Sequence, residues 1–282
     1  MQEPAAGRRV PVRKVCAKLG MSRQNYYARR KQRKRREVEG DLVAELVKQE
    51  RQIQPRIGGR KLHKVLQPAL AEAGIEMGRD RLFEELRGRG LLVPPLPRCW
   101  PRTTHYNASL PVFRNEIRGV AARGPHEIWV ADLTYVRTGE GYLYVSLITD
   151  AYSRKIVGYQ AAETLATQGP LVSLEMALGQ LPAGARVIHH SDRGCQYGSH
   201  EYVAELRRAG VSISMTEEDH CAQNALAERV NGILKQEFGL GQEFKTKAQA
   251  RQALKEGVWI YNTRRLHGGI NYRVPAEVHR GG

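Results

Sequence analysis

The chain has 282 residues, of which 41% are hydrophobic and 26% charged, and it carries a formal net charge of +16. Its four cysteines lie far apart without a C-x-x-C pair, a pattern that argues against both a disulfide scaffold and a zinc finger. No apolar run approaches the roughly 18 residues needed to span a membrane, and the first residues lack a signal-peptide core. We therefore expect a cytoplasmic protein without a membrane partner.

The positive charge is distributed unevenly along the chain. Residues 1–123 hold 28 Lys and Arg against 12 Asp and Glu, whereas residues 124–282 hold 17 against 17. A chain of this length favours two domains, and a strongly basic block beside a neutral one indicates a nucleic-acid-binding module joined to a module with a different task.

The basic half is predicted to be helical. Residues 1–36 read as a short helix, a turn at Gly20 and a second helix N-capped by Ser22, the outline of a helix-turn-helix. The basic run at 29–36 would suit phosphate contact, although a solvated helix face or a flexible linker has the same composition. Residues 37–92 predict a second small helical, DNA-binding domain with Arg60 and Lys61 at a bend, and the proline-rich residues 93–123 predict a linker.

The pattern changes from helical to mixed after the linker, in residues 124–282. Strand-like runs occupy 128–136, 142–149, 155–160, 186–190 and 211–215, and helical patterns occupy 166–181, 199–209, 224–238 and 246–261. No glycine-rich phosphate loop follows a strand, so the order favours a nuclease-like α/β core with a mixed sheet over a nucleotide-binding fold. Asp150 falls at a hairpin corner and is interpreted as a turn former.

Three acids stand out because each lies on a different element. Asp132 is surrounded by apolar residues within the first strand, which is unfavourable unless a cation or a hydrogen-bond donor meets it. Asp192 follows the fourth strand, and Glu228 points away from the apolar stripe of its helix together with Asn231 and Lys235. Three such carboxylates predict a Mg²⁺ site, and two ions held there would support phosphoryl transfer.

Several ordered motifs of this sequence resemble those of one known family. WVADLTYV, HSDRGCQY and NALAERVNGILKQE are similar to the first-acid strand, the second-acid motif and the third-acid helix of DDE transposases of the insertion-sequence-three family (OrfB type), relatives of retroviral integrases. The interval from Asp192 to Glu228, 228 − 192 − 1 = 35 residues, matches the D-35-E spacing of that family. TDAYSRKIVGY, YNTRRLHGGINYRVPAEV and PRIGGRKLHKVL extend the resemblance over nearly the whole chain.

The resemblance implies a fold, a reaction and a set of partners. The fold would be ribonuclease-H-like, a mixed five-stranded sheet with flanking helices, preceded by an all-α region of helix-turn-helix type. The reaction would free a 3′-hydroxyl at an insertion-sequence end and use it to attack a second phosphodiester. Asp132 and Asp192 would share two Mg²⁺ ions, for which Mn²⁺ would substitute, and Glu228 would complete the second site. The partners would be double-stranded DNA (terminal inverted repeats and target), further copies of the chain on that DNA, and the product of an upstream reading frame, all at the nucleoid.

Six further side chains are predicted to contact DNA, because they flank the acids or lie in the closing segment: Lys235, Asn231, Tyr197, Arg264, Arg265 and His267.

Three positions depart from the family pattern. Gln223 stands where an acid is usual, Cys195 where Ser or Thr is common, and Val274 where Ser usually precedes the proline. A non-catalytic DNA-binding regulator and a structure-specific ribonuclease are the alternative functions.

Overall fold

The computed structural model describes residues 11–94, 110–217 and 221–281. These residues fall into two compact units. One is formed by the chain up to Glu50 together with Gly58–Leu92, and the other by Arg51–Ile57 together with the chain from Val93 onward. No helix of the described ranges is long and apolar enough to cross a bilayer.

The first unit is helical, as its periodicity predicts. It contains α1 (Val12–Lys18), α2 (Arg23–Ile53, whose last residues belong to the other unit), α3 (Gly59–Glu72) and α4 (Arg79–Gly88). Ser22 Oγ accepts a hydrogen bond from the N–H of Asn25 at 3.1 Å, which confirms the predicted start of the second helix. Because α2 runs without interruption through residues 36 and 37, the structure has no break at the predicted division there.

The core of the first unit consists of side chains that recur every three or four residues. Its most buried members from α2, α3 and α4 are Val43, Val47, Leu62, Leu66, Leu70, Leu82 and Leu86. Glu39 on α2 forms ion pairs with Arg35 and with Arg81 of α4, and these two guanidinium groups lower the pKa of its carboxyl. The pair with Arg81 therefore joins two helices of this unit by charge as well as by packing.

The second unit is built on a five-stranded sheet in the order β3-β2-β1-β4-β5. Its strands are β1 (Ile128–Thr138), β2 (Gly141–Asp150), β3 (Ile156–Ala162), β4 (Ile188–Ser191) and β5 (Ser212–Met215). The first three pair antiparallel as a meander, whereas β4 pairs parallel to β1 and β5 parallel to β4. The predicted mixed five-stranded sheet is confirmed.

Helices cover both faces of this sheet. On one face α7 (Ala225–Glu237) and α8 (Lys247–Thr263) pack against a cluster that includes Val136, Leu147 and Val230, and on the other α5 (Gln168–Leu178) and α6 (His200–Arg208) pack against Trp129, Ile148 and Leu206. The two clusters follow the alternation of side chains along β1, since Trp129 and Val136 differ by an odd number of positions. A short helix, α9 (Pro275–Arg280), was not predicted.

Two local features show how closely the second unit is packed. A Cβ added at Gly158 on β3 would lie 2.0 Å from the carbonyl oxygen of Ser173 on α5, so this position requires glycine. Asp150 is fully buried, and its carboxylate accepts hydrogen bonds from the N–H of His126 and from both the N–H and the hydroxyl of Ser153 at 2.7 Å. This confirms the prediction that Asp150 is a turn former.

Candidate active site

Two of the predicted acids are brought together by the pairing of β1 with β4. In the parallel pairing of β1 with β4, Val130 lies opposite His190. Asp132 comes two residues after Val130, and Asp192 comes two residues after His190. Because these strands are parallel, Asp132 within β1 and Asp192 just past the end of β4 lie on neighbouring strand paths.

The third acid is brought beside these two by α7, which is hydrogen-bonded to β1 at two points. Asn224, directly before the helix, donates from Nδ2 to the carbonyl oxygen of Ala131 at 2.9 Å. Asn231, two turns into the helix, donates from Nδ2 to Asp132 Oδ2 at 2.7 Å. Glu228 lies between these two anchors, in the first turn of α7, and is exposed.

Asp132 has an unusual electrostatic environment. Burial raises the pKa of its carboxyl to about 7, and the charges of Asp192 and Glu228 act in the same direction. The hydrogen bonds from Asn231 and from the N–H of Leu133 oppose this rise in pKa. Burial and the repulsion among the three carboxylates together therefore outweigh the hydrogen bonds from Asn231 and Leu133. A bound cation would reduce this repulsion.

The acids fit a divalent cation by their chemistry and charge. Carboxylate oxygens on three separate elements are the hard donors that Mg²⁺ prefers. In the described part of the chain, however, no three His, Cys, Asp or Glu side chains are gathered closely enough to hold a metal ion as they stand. Asp192 is held by the N–H of Gly194, which donates to its Oδ1 at 3.0 Å, and a Cβ at Gly194 would lie 2.9 Å from that oxygen.

Lys235 lies near the acids but is not fully exposed. Its ammonium group lies 4.4 Å from the centroid of the Tyr135 ring, a cation–π contact. Burial lowers the pKa of Lys235, whereas the charge of Asp132 acts to raise it. The side chain therefore contributes a positive charge within the field of the first acid.

Four of the predicted DNA contacts are interior side chains, and for these the prediction is corrected. Tyr197 is 2% exposed and packs edge-on against Tyr202, and Asn231 is 4% exposed and bound to Asp132. Arg265 and His267 are buried as well. A side chain enclosed by protein cannot reach a duplex.

The burial of Arg265 and His267 has a clear physical reason. Arg265 makes two parallel hydrogen bonds of 2.8 Å to Glu237 at the end of α7 and lies over the ring of Tyr261. His267 accepts a hydrogen bond from the N–H of Gly269 at 3.2 Å and so closes a turn. Both residues hold the segment after α8 in place.

The remaining predicted DNA contacts stay accessible. Arg60 and Arg264 are exposed, and Lys61 is partly exposed.

His190, beside Asp192, is buried and its Nδ1 lies 2.8 Å from Ser214 Oγ. Burial lowers the pKa of His190 to about 4, so the ring is neutral at pH 7 and has a structural role.

Sequence reasoning missed the anchoring roles of Asn224 and Asn231. An amide at the start of a helix is normally read as an N-cap, but the side chain of Asn224 makes no capping bond and reaches a strand 93 residues away instead. Asn231 was placed correctly on the face of Glu228, yet its position gave no indication that Asp132 would be its partner.

Known proteins resemble the chain along most of its length. Models described as "Integrase core domain" match residues 122–221 and 209–275. An insertion element IS600 protein of 31 kDa from Shigella sonnei is 35% identical, over 93% of this chain and 96% of that protein. The transposase InsF for insertion sequence IS3A from Escherichia coli is 31% identical, over 69% of this chain and 74% of its own length.

Solved structures also match part of the chain. The catalytic core domain of HTLV-2 integrase, determined in complex with magnesium, is 15% identical and covers 56% of this chain and 99% of its own, with a TM-score of 0.45. A chain in the cryo-EM structure of a simian T-cell lymphotropic virus intasome in complex with the PP2A regulatory subunit B56 gamma is 18% identical, with a TM-score of 0.48, and the match covers 79% of this chain and 74% of that chain.

Proposed function

The chain belongs to the insertion-sequence-three family of transposases, which carry an integrase core domain, and from this we propose that Asp132, Asp192 and Glu228 form its catalytic site. Its function is that of a DNA transposase, a polynucleotidyl transferase. We infer that it cleaves a strand at an insertion-sequence end and joins the freed 3′-hydroxyl to a second phosphodiester. The observation that carries this proposal is the geometry that brings the acids together: Asp132 on β1 is hydrogen-bonded to Asn231 of the helix that carries Glu228, and β1 pairs with β4, which leads to Asp192.

The three acids would hold two Mg²⁺ ions, or Mn²⁺ in their place. When bound, the ions would supply activation of the attacking oxygen and stabilisation of the leaving oxygen. The protein's own residues prepare this site. Asn231 orients the carboxylate of Asp132 and favours its charged form, and the N–H of Gly194 orients Asp192. Lys235 supplies a nearby positive charge for a DNA phosphate.

The first half of α2 is the strongest candidate for a DNA-binding surface. Between Arg23 and Arg36 the chain contains eight Lys and Arg and no acid, and residues 27–38 are all exposed. At 100° per residue the eight charges surround the helix, so neighbours four apart such as Arg29 and Arg33 repel one another. Phosphates on both sides of a DNA groove would relieve this repulsion, and a helix of this diameter fits the major groove.

The other partners follow from the same reaction. Terminal inverted repeats and target DNA are the substrates, and Arg60, Lys61 and Arg264 are further accessible contacts for their phosphates. Joining two ends requires two active sites, so we propose that the chain acts as a homo-oligomer on DNA, at the nucleoid. The product of an upstream reading frame is the proposed protein partner.

The test is a strand-cleavage and joining assay. The purified protein, with and without the upstream-frame product, is incubated in Mg²⁺ or Mn²⁺ with a labelled end of its element. We expect a new 3′-hydroxyl and a joined product from the wild type, and neither from Asp192→Asn or Glu228→Gln. Glu175→Gln, at an exposed acid of α5, is the matched control and should retain activity.

The outcome separates the proposed function from the two alternatives. DNA binding without cleavage by any variant, even with the upstream product present, would favour a non-catalytic regulator. Cleavage of RNA in a hybrid, with no preference for the element's end, would favour a structure-specific ribonuclease. Joining by Asp192→Asn at the wild-type rate would refute the assignment of the acids.

A further inference from the structure

Gln223, directly before α7, links three segments of the second unit through its side chain. Its Oε1 accepts hydrogen bonds from Asn115 Nδ2 at 2.8 Å and from the N–H of Glu217 at 2.7 Å. Its Nε2 donates to Glu217 Oε2 at 3.0 Å. We call Asn115, Glu217 and Gln223 the Gln223 clamp. Both hydrogen-bonding atoms of the Gln223 amide are used in it.

The partners of Gln223 are themselves attached to the sheet. The N–H of Glu116, next to Asn115, donates to Ser214 Oγ of β5 at 2.9 Å. The N–H of Thr216, next to Glu217, donates to the carbonyl oxygen of Ser191 at 3.0 Å. The clamp is thus attached to the β4–β5 edge, one residue from Asp192.

Asn224, the residue after Gln223, connects the start of α7 to β1. Asn224 is 3% exposed and its side chain reaches the carbonyl oxygen of Ala131, the residue before Asp132. Gln223 and Asn224 therefore tie the start of α7 to the strands that carry the first and second acids. Since an α-helix is stiff over two turns, a displacement at this start would be transmitted to Glu228 and Asn231.

We propose that Gln223 is a positioning residue, which sets the start of α7 through the clamp and so holds Glu228 and Asn231 against Asp132. This inference rests on the proposed function, which assigns the three acids to catalysis. An acid at position 223 would face the Glu217 carboxylate and lose the donated hydrogen bond, whereas an amide complements it.

The experiment exchanges the two partners. Gln223→Glu places two carboxylates together and should slow strand joining about tenfold, within the usual coupling between contacting residues. The double variant Glu217→Gln/Gln223→Glu restores one amide and one carboxylate and should return joining to within about twofold of the wild type. Gln236→Glu, the same change at an exposed site on α7, is the control and should leave joining unchanged.

A second measurement does not depend on activity. Hydrogen exchange of the backbone amides in the first two turns of α7 is compared in the metal-free proteins. Exchange should be faster in Gln223→Glu than in the wild type and should return to the wild-type rate in the double variant. Thermal unfolding of each variant identifies a general loss of structure, which would lower the Tm of the single and the double variant alike.

The results decide between the possibilities. Wild-type joining by Gln223→Glu, or a double variant as slow as the single one, would overturn the positioning role. If the wild type joins no DNA even with the upstream-frame product present, the proposed function has failed, and hydrogen exchange alone then tests the clamp. Equal exchange in Gln223→Glu and the wild type would overturn the clamp as well.

Discussion

Replacing Asn231 by leucine tests how the first acid is controlled. The substitution keeps the branched shape of a buried side chain but removes the 2.7 Å hydrogen bond to Asp132 Oδ2. A hydrogen bond to a charged group contributes about 1.5 to 3 kcal/mol. At about 1.36 kcal/mol per pKa unit this corresponds to roughly one to two units. Because the Asp132 side chain still meets some water, we expect the lower end, about one unit.

The sign follows from which form the hydrogen bond stabilises. Asn231 donates to the carboxylate and so lowers the pKa of Asp132, which burial and the neighbouring acids raise to about 7. Its loss moves that pKa upward. Protons then compete with a divalent ion over a wider pH range, so joining at pH 7 should fall about fivefold, and the difference from the wild type should shrink toward pH 9.

The direct assay is a carboxyl ¹³C NMR titration of the metal-free protein, with the Asp132 signal assigned from its absence in Asp132→Asn. The wild-type signal should titrate near pH 7, and the Asn231→Leu signal about one unit higher. Gln236→Leu, on the exposed face of the same helix, controls for the change in composition. An Asn231→Leu protein that titrates at the wild-type pH would refute the reasoning.

Three further predictions concern the same structure. Asp132→Asn should abolish joining yet raise the Tm of the metal-free protein at pH 7 by ~3 °C, because it removes a desolvated carboxylate from beside two others. Arg265→Ala should lower the free energy of unfolding by about 3 kcal/mol, since it leaves the Glu237 carboxylate without its partner, as chemical denaturation would measure. The affinity for DNA falls as salt rises, and Arg29→Gln/Arg33→Gln should make this fall less steep. The magnitude of the slope of log affinity against log salt should decrease by about 1.8, because each phosphate that is no longer neutralised contributes about 0.9.

Each of these predictions has a result that would count against it. A Tm of Asp132→Asn below that of the wild type would mean that the carboxylate is already neutralised in the metal-free state. An Arg265→Ala protein of normal stability but weakened DNA binding would restore Arg265 as a DNA contact. For the basic helix, the control neutralises exposed Arg207 and Lys255 of the second unit, and an equal change of slope there would remove the special role of α2.

Much of the second unit was predictable because its strands are rich in β-branched and aromatic residues between turn formers, and Asp132 interrupts one of these apolar runs. Asp132 was noticed as an acid among apolar residues, and the structure gives it Asn231 as a partner. Glu237 likewise falls on the apolar face of its helix. Its partner, Arg265, comes 28 residues later and could not be identified until α7 and α8 were placed together.

The division predicted at residues 36 and 37 was not found, and the reason is local. A run of like charges resembles a linker in composition, but residues 23–39 contain neither proline nor glycine to end a helix. Packing of Val43 and Val47 anchors the second half of α2, and the basic half continues from it. The change in charge at residues 36 and 37 therefore marks a change in the surface of α2 and not the end of the helix.

The parallel pairing of β1 with β4 also bears on protein engineering. The first two acids are 192 − 132 − 1 = 59 residues apart in sequence, yet their spacing in space depends on the short paired stretch from Ile128 to Val130 and from Ile188 to His190. Extra residues at the exposed turn around Gly184, between α5 and β4, should leave that register intact. A fluorescent label or an affinity tag could be inserted there, whereas a single residue inserted between His190 and Asp192 would shift the second acid along its strand.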